Sequence, residues 1–168
     1  MGVLVAFRHN DSRLYARVVR FFRGGDTAHS EVGIPDAGGN RLGLCFSSSY
    51  TDGGVRAKVL DLTDPHKWRV YWWAHDFIDP MEWLRVNFNC GYDLRGCIGI
   101  GAPRVGEDRD KKFCSEASAE ILKLIDPHTY DPARLESFVR QRAPLVVWSG
   151  VEWTPFQQNQ GTTSEAEI

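Results

Sequence analysis

The sequence predicts an α+β fold in which a small antiparallel sheet or half-barrel packs against helices. Three observations predict it: four strand-like segments follow one another between residues 29 and 73, the hydrophobic period then changes to a helical one, and the most helix-prone stretch comes late, at 114–125.

VLVAFR (3–8) is the first strand candidate. Leu14, Val18, Val19 and Phe22 then share one face of a helix expected over 11–22, which Gly24 and Gly25 end. HSEVGI (29–34) and RLGLCFSSS (41–49) read as a hairpin because DAGGN between them carries turn residues. TDGG leads into VRAKVLDL, and KWRVYWW follows Asp64 and Pro65 as another strand. Asp79 as cap, Pro80 at the first helical position and the stripe Met81, Leu84 and Phe88 predict a helix over 80–89. YDLRGCIGIG (92–101) reads as a short, glycine-punctuated helix on the sheet, and APRVGEDRDKK as a charged surface loop. In CSEASAEILKLI (114–125), Ala117, Ile121, Leu122 and Ile125 mark the buried face. A last helix is expected from about Pro132 to Arg142, capped by Asp131. The domain is expected to span 1–155, and 156–168 to form a polar flexible tail or partner-binding arm.

The chain has 168 residues, 42% hydrophobic and 25% charged, the mix of a globular protein with a real core. Twenty basic against twenty-two acidic residues give a net charge of −2, which advertises no nucleic-acid or anionic-membrane surface. No stretch approaches the roughly 18 apolar residues of a membrane span. The opening MGVLVAFRHND reads as a strand rather than a signal peptide, so cytoplasmic synthesis is expected. Cys45, Cys90, Cys97 and Cys114 share no C-x-x-C spacing, which points to reduced thiols rather than a zinc knuckle or redox pair. Acidic residues are scattered and no histidine pair has ligand spacing, so neither a metal nor another cofactor is expected.

A thiol is nucleophilic as thiolate, and a helix N-terminus favours that form. Cys114 opens the 114–125 helix and is expected at its surface-facing end, whereas Cys45, Cys90 and Cys97 sit among apolar neighbours as small core residues. A thiolate hydrolase also needs a base, for which histidine is suited at neutral pH. His66, His75 and His128 read as loop residues; His9 ends the first strand, and His29 begins a strand between Ala28 and Ser30, close to a sheet edge. A third polar group usually orients the imidazole. Glu31 shares a strand face with His29, but i and i+2 side chains stand roughly 7 Å apart, while Ser47 or Ser48 on the next strand would sit opposite. Asp52 reads as a turn former before Gly53 and Gly54.

Taken in order, HSEVGI, CFSSSYTDGGVR, KWRV, GYDLRGCIGIG and KFCSEASAEIL resemble the circularly permuted branch of the NlpC-type papain-like cysteine hydrolases. The likeness covers about residues 3–140 and is nearest to small standalone proteins of bacteriophage and prophage genomes. They share the H-x-E strand, the S-x-x-x-D-G-G-V-R hairpin, the Y-D-x-x-G segment and the F-C-S-E helix start. The resemblance implies a permuted papain-like fold, with His29 on an early strand and the nucleophile Cys114 at a later helix start. It also implies that Tyr92, with Asp93 beside it in the Y-D segment, lines the cleft as an oxyanion or substrate-binding element, next to the Cys114 backbone N–H. The third group varies in the family, which leaves Glu31 and Ser47 open. The implied substrate is a peptide or acyl compound, above all a peptide bond of peptidoglycan. Two other roles fit the likeness. One is a phage virion component, tail or tail-associated, that binds particle proteins through the C-terminal arm and Trp148, Trp153 and Phe156. The other is a lipid-directed acyltransferase or thioesterase with an apolar groove built on Trp68, Trp72 and Trp73.

Overall fold

The computed structural model describes residues 2–9, 26–35, 42–93 and 110–156. The helix expected over 11–22, the 36–40 turn, most of the 92–101 segment, Cys97 and the tail beyond Phe156 lie outside those residues.

The described residues form a mixed α+β structure with one open nine-stranded sheet. Its strands are β1 (Val3–His9), β2 (Thr27–Ile34), β3 (Leu42–Ser49), β4 (Gly54–Asp61), β5 (Trp68–Trp73), β6 (Gly91–Tyr92), β7 (Lys111–Lys112), β8 (Leu145–Trp148) and β9 (Trp153–Pro155). The spatial order is β7-β6-β4-β3-β2-β1-β5-β8-β9, antiparallel throughout except for β6 against β7. The sheet is thus wider than the small one expected, because two-residue strands extend it at one end and the hairpin β8–β9 at the other. The helices are α1 (Pro80–Asn87), α2 (Cys114–Ile121) and α3 (Pro132–Arg140), with a 3-10 turn at Pro127–Thr129.

β1 lies inside the sheet between β2 and β5, and Val3 to Phe7 are apolar on both faces, as a strand covered on both sides must be. Val3, Val5 and Phe7 join Val32 and Phe46 in the core under the helices, where Ala117, Ile121, Leu135 and Val139 meet them. Leu4 and Ala6 point the other way, onto Cys45, Leu62 and Val70. The tryptophans of β5 divide in the same alternation: Trp73 belongs to the helix-side core, and Trp68 and Trp72 to the opposite cluster. They do not share one face.

Local chemistry explains where the helices begin and which faces they bury, including one helix end and one buried face that differ from expectation. In α1 the Asp79 carboxylate accepts from the Met81 N–H at 2.8 Å with Pro80 in the first turn, as the sequence implied. The expected stripe faces outward instead: Met81 and Phe88 are exposed and Leu84 is only partly buried. Trp83 is the anchor, buried and donating from Nε1 to Glu120 of α2 at 2.9 Å, and this bond sets which face of the short helix turns inward. α2 stops at Ile121, four residues early, because Lys123 takes a left-handed backbone with φ of 54°. Ile125 consequently lies in the exposed turn rather than on the buried face. α3 begins as expected, with Asp131 accepting from the Arg134 N–H at 2.8 Å. It docks through Leu135, Val139 and Glu136, whose carboxylate accepts from Thr27, Arg69 and Tyr71. Trp148 and Trp153 pack edge to face across the β8–β9 hairpin at 5.6 Å between ring centroids. No described helix is long and apolar enough to cross a membrane.

Candidate active site

The site forms where β2 and β3 part. They pair only at Val32–Phe46, Gly33–Cys45 and Ile34–Leu44, whereas β2 runs back to Thr27 and β3 on to Ser49. Side chains fill the opening. Ser47 donates to the Ser30 carbonyl at 2.7 Å, and Ser48 to the Lys112 carbonyl at 2.6 Å, which ties β3 to β7 two residues before Cys114. α2 then packs on β2 and β3, with the Ser30 and Ser118 hydroxyls 2.9 Å apart in the buried contact. At the helix start the Phe113 N–H donates to the Glu116 carboxylate at 3.3 Å, one half of a capping box, so the C-S-E sequence is locally self-consistent.

This placement brings Cys114 to His29. The two side chains are close enough for charge and hydrogen bonding to act between them, and the Ser30 backbone N–H also acts on the sulfur. Cys114 is 1% exposed, against the expectation of a surface-facing end. The reason is that its helix starts directly behind β7 and against the sheet instead of projecting from it. His29 is 18% exposed. Nor is β2 a sheet edge, since β1 and β3 flank it; His29 lies on the half of this inner strand that pairs with β1 but not with β3.

Glu31 accepts from His29 Nε2 at 2.7 Å. The expectation that i and i+2 neighbours stand too far apart on a strand describes their Cβ atoms; the longer side chains lean together and close the distance. Ser47 spends its hydroxyl on the backbone of Ser30, and Ser48 on that of Lys112, so neither is bonded to the imidazole. Arg56 on β4 was not singled out by sequence reasoning, yet it donates from Nη1 to Glu31 Oε2 at 2.7 Å and from Nη2 to Oε1. Its Nε donates to Asp52 Oδ2 at 3.1 Å, and Lys58 reaches the other oxygen of Asp52 at 3.3 Å. The available signal was the hairpin D-G-G-V-R, whose first and last residues are this pair. Asp52 does lie in the turn, as expected, and also holds Arg56.

Tyr92 and Asp93 lie on and just after β6, where Tyr92 pairs with Lys112 and the Asp93 N–H donates to the Lys112 carbonyl at 3.0 Å. Tyr92 is thus in a strand, not the expected helix. Its ring packs edge to face on Tyr50 at 5.7 Å, and Asp93 is buried. Both therefore flank the strand that delivers Cys114.

The electrostatics follow from this packing. Burial pushes the Cys114 thiol up, but the His29 charge, its hydrogen bond and the Ser30 N–H outweigh it and bring the thiol below its ordinary value. Burial lowers His29, but the Cys114 and Glu31 charges and hydrogen bonds raise it to about 9. Burial raises Glu31, and the Arg56 hydrogen bonds with the His29 charge more than reverse that. The arrangement therefore favours a thiolate and an imidazolium side by side at neutral pH. Cys45, buried without such a partner, has its thiol pushed far up. Of the other histidines, His9 is buried near Arg69 and its pKa is lowered, first by burial and then by that charge. His75 bonds the Arg142 carbonyl at 3.0 Å and lies against Trp73. Among the described residues no group of His, Cys, Asp and Glu could hold a metal ion.

No protein-family model matches the chain, and no curated protein matches it.

Proposed function

We propose that the protein is a cysteine hydrolase of the circularly permuted papain-like type, an amidase or endopeptidase acting on peptidoglycan peptides in a phage setting. The observation that carries the chemistry is His29 held between the Cys114 sulfur and the Glu31 carboxylate. The Cys114 thiolate attacks the carbonyl carbon, and the oxyanion forms beside the start of α2, where helix amides are available. The His29 imidazolium gives its proton to the leaving nitrogen, releasing the amine and leaving a thioester. Water then attacks the thioester, His29 takes its proton, and the thiolate departs from the acid product. Glu31 keeps the Nε2–H of His29 occupied, which leaves Nδ1 for this proton transfer.

The substrate class and the phage setting rest on the ordered motifs shared with the permuted NlpC-type family. Purified peptidoglycan incubated with wild-type and Cys114→Ala protein tests them: release of new amino termini by the wild type alone is expected, and equal release by both sinks the reading.

One observation favours a second reading, a virion component with a marginally active site. Cys114 is 1% exposed, less than an open substrate cleft requires. Alkylation at neutral pH separates the two. Selective modification of Cys114 supports the hydrolase, while inertness combined with tight association with phage particles supports the virion role.

A further inference from the structure

We infer that Arg56, braced by Asp52, is a positioning residue that clamps the Glu31 carboxylate against His29 and thereby keeps Cys114 charged. This inference rests on the cysteine-hydrolase reading and adds to it a part that lies one strand beyond the family-type site.

Glu31 is 1% exposed, and a lone carboxylate at that depth would take up a proton rather than stay ionised. Arg56 supplies what burial removes. Its two terminal nitrogens grip both carboxylate oxygens, and Oε1 is shared between Arg56 Nη2 and His29 Nε2. A planar two-point grip fixes the plane of the carboxylate as well as its charge, which a lysine could not do. Arg56 is itself held, because Nε is spent on Asp52, and Asp52 is held in turn by Lys58. The result is an alternating row of charges from Lys58 through Asp52, Arg56, Glu31 and His29 to Cys114.

Removing Arg56 leaves two anions, Glu31 and the Cys114 thiolate, around the single cation His29. Relief comes by one of two routes. Glu31 takes a proton and His29 loses the charge that favours imidazolium, or Glu31 stays ionised and repels the thiolate. Both routes raise the pH at which Cys114 ionises, so the direction of the effect does not depend on which occurs.

The test is the ultraviolet absorbance of the Cys114 thiolate against pH, taken as the difference between each protein and its Cys114→Ser counterpart so that the other thiols cancel. The expected result is a midpoint about one pH unit higher in Arg56→Gln than in wild type, a tenfold loss of thiolate below it. In a Glu31→Gln background Arg56→Gln is expected to add little, because the arginine acts through that carboxylate. An unchanged midpoint in folded Arg56→Gln overturns the proposal, as does an equal shift in the Glu31→Gln background. If Arg56→Gln does not fold, Asp52→Ala replaces it: that change removes the acceptor of Nε while leaving the guanidinium in place. A smaller upward shift supports the clamp, and none overturns it. A wild-type midpoint at the ordinary cysteine value is a separate outcome, which sinks the hydrolase reading itself.

Discussion

Glu31 reaches His29 at 2.7 Å although the two residues leave the same strand only two positions apart. Contact at this spacing requires both side chains to lean, and the carboxylate is drawn into that posture between the imidazole and the Arg56 guanidinium. Glu31→Gln keeps the shape and removes the charge. Hydrolysis is expected to fall about 10²- to 10⁴-fold in kcat/KM, as when an orienting carboxylate becomes an amide in other triads. Stability is expected to fall by about 3 kcal/mol, because Arg56 loses its buried partner. Steady-state kinetics beside urea unfolding measures both.

The titration behaviour of the pair predicts a bell-shaped pH profile. Activity rises on an acid limb as Cys114 ionises, below the ordinary thiol value. It falls through about pH 9 as His29 loses the proton that the leaving group needs. Glu31 adds a stability term of opposite sense to the alkaline limb. Its folded-state pKa is depressed, so its contribution is complete above the ordinary glutamate value and is lost as pH falls through the depressed one. Plots of kcat/KM against pH, with denaturation midpoints along the acid side, check the two trends.

The two glycines of the β3–β4 turn are expected to tolerate alanine unequally. Gly53 has φ of 83° with open space around it, so Gly53→Ala costs about 1 kcal/mol of backbone strain. Gly54 has φ of 150°, and a Cβ there would lie 2.3 Å from the Cys90 carbonyl oxygen, where β6 joins β4. Gly54→Ala is expected to cost about 3 kcal/mol or more, since the backbones must separate. Thermal unfolding of the two variants gives the comparison.

Trp83, rather than the Met81 and Phe88 stripe, fastens α1. Trp83→Ala is expected to destabilise the protein by about 3–5 kcal/mol, since it empties a buried aromatic site and strips Glu120 of a donor. Phe88→Lys is expected within about 0.5 kcal/mol of wild type, its side chain being 67% exposed. Equal losses from the two substitutions would mean that the helix is turned the other way.

By itself the sequence determined the five longer strands, because alternation and turn residues are local: β1 to β5 lie where VLVAFR, HSEVGI, RLGLCFSSS, VRAKVLDL and KWRVYWW put them. The starts of α1 and α3 were equally legible, since Asp79 with Pro80 and Asp131 with Pro132 act within one turn. Cys114, His29 and Glu31 were identifiable as candidates by residue type and motif order. Tertiary structure alone decided what each candidate touches. The burial of Cys114 depends on the sheet behind α2, and the choice of Glu31 over Ser47 depends on where β2 and β3 separate. Arg56 enters from β4 across 25 residues of chain, a distance over which no local periodicity carries information. The same holds for the face of α1: its apolar spacing admits more than one orientation, and the Trp83 bond to a residue 37 positions away selects one. Local pattern specifies elements because their forces act over a few residues; a buried charge must be met by whichever partner the completed fold brings to it.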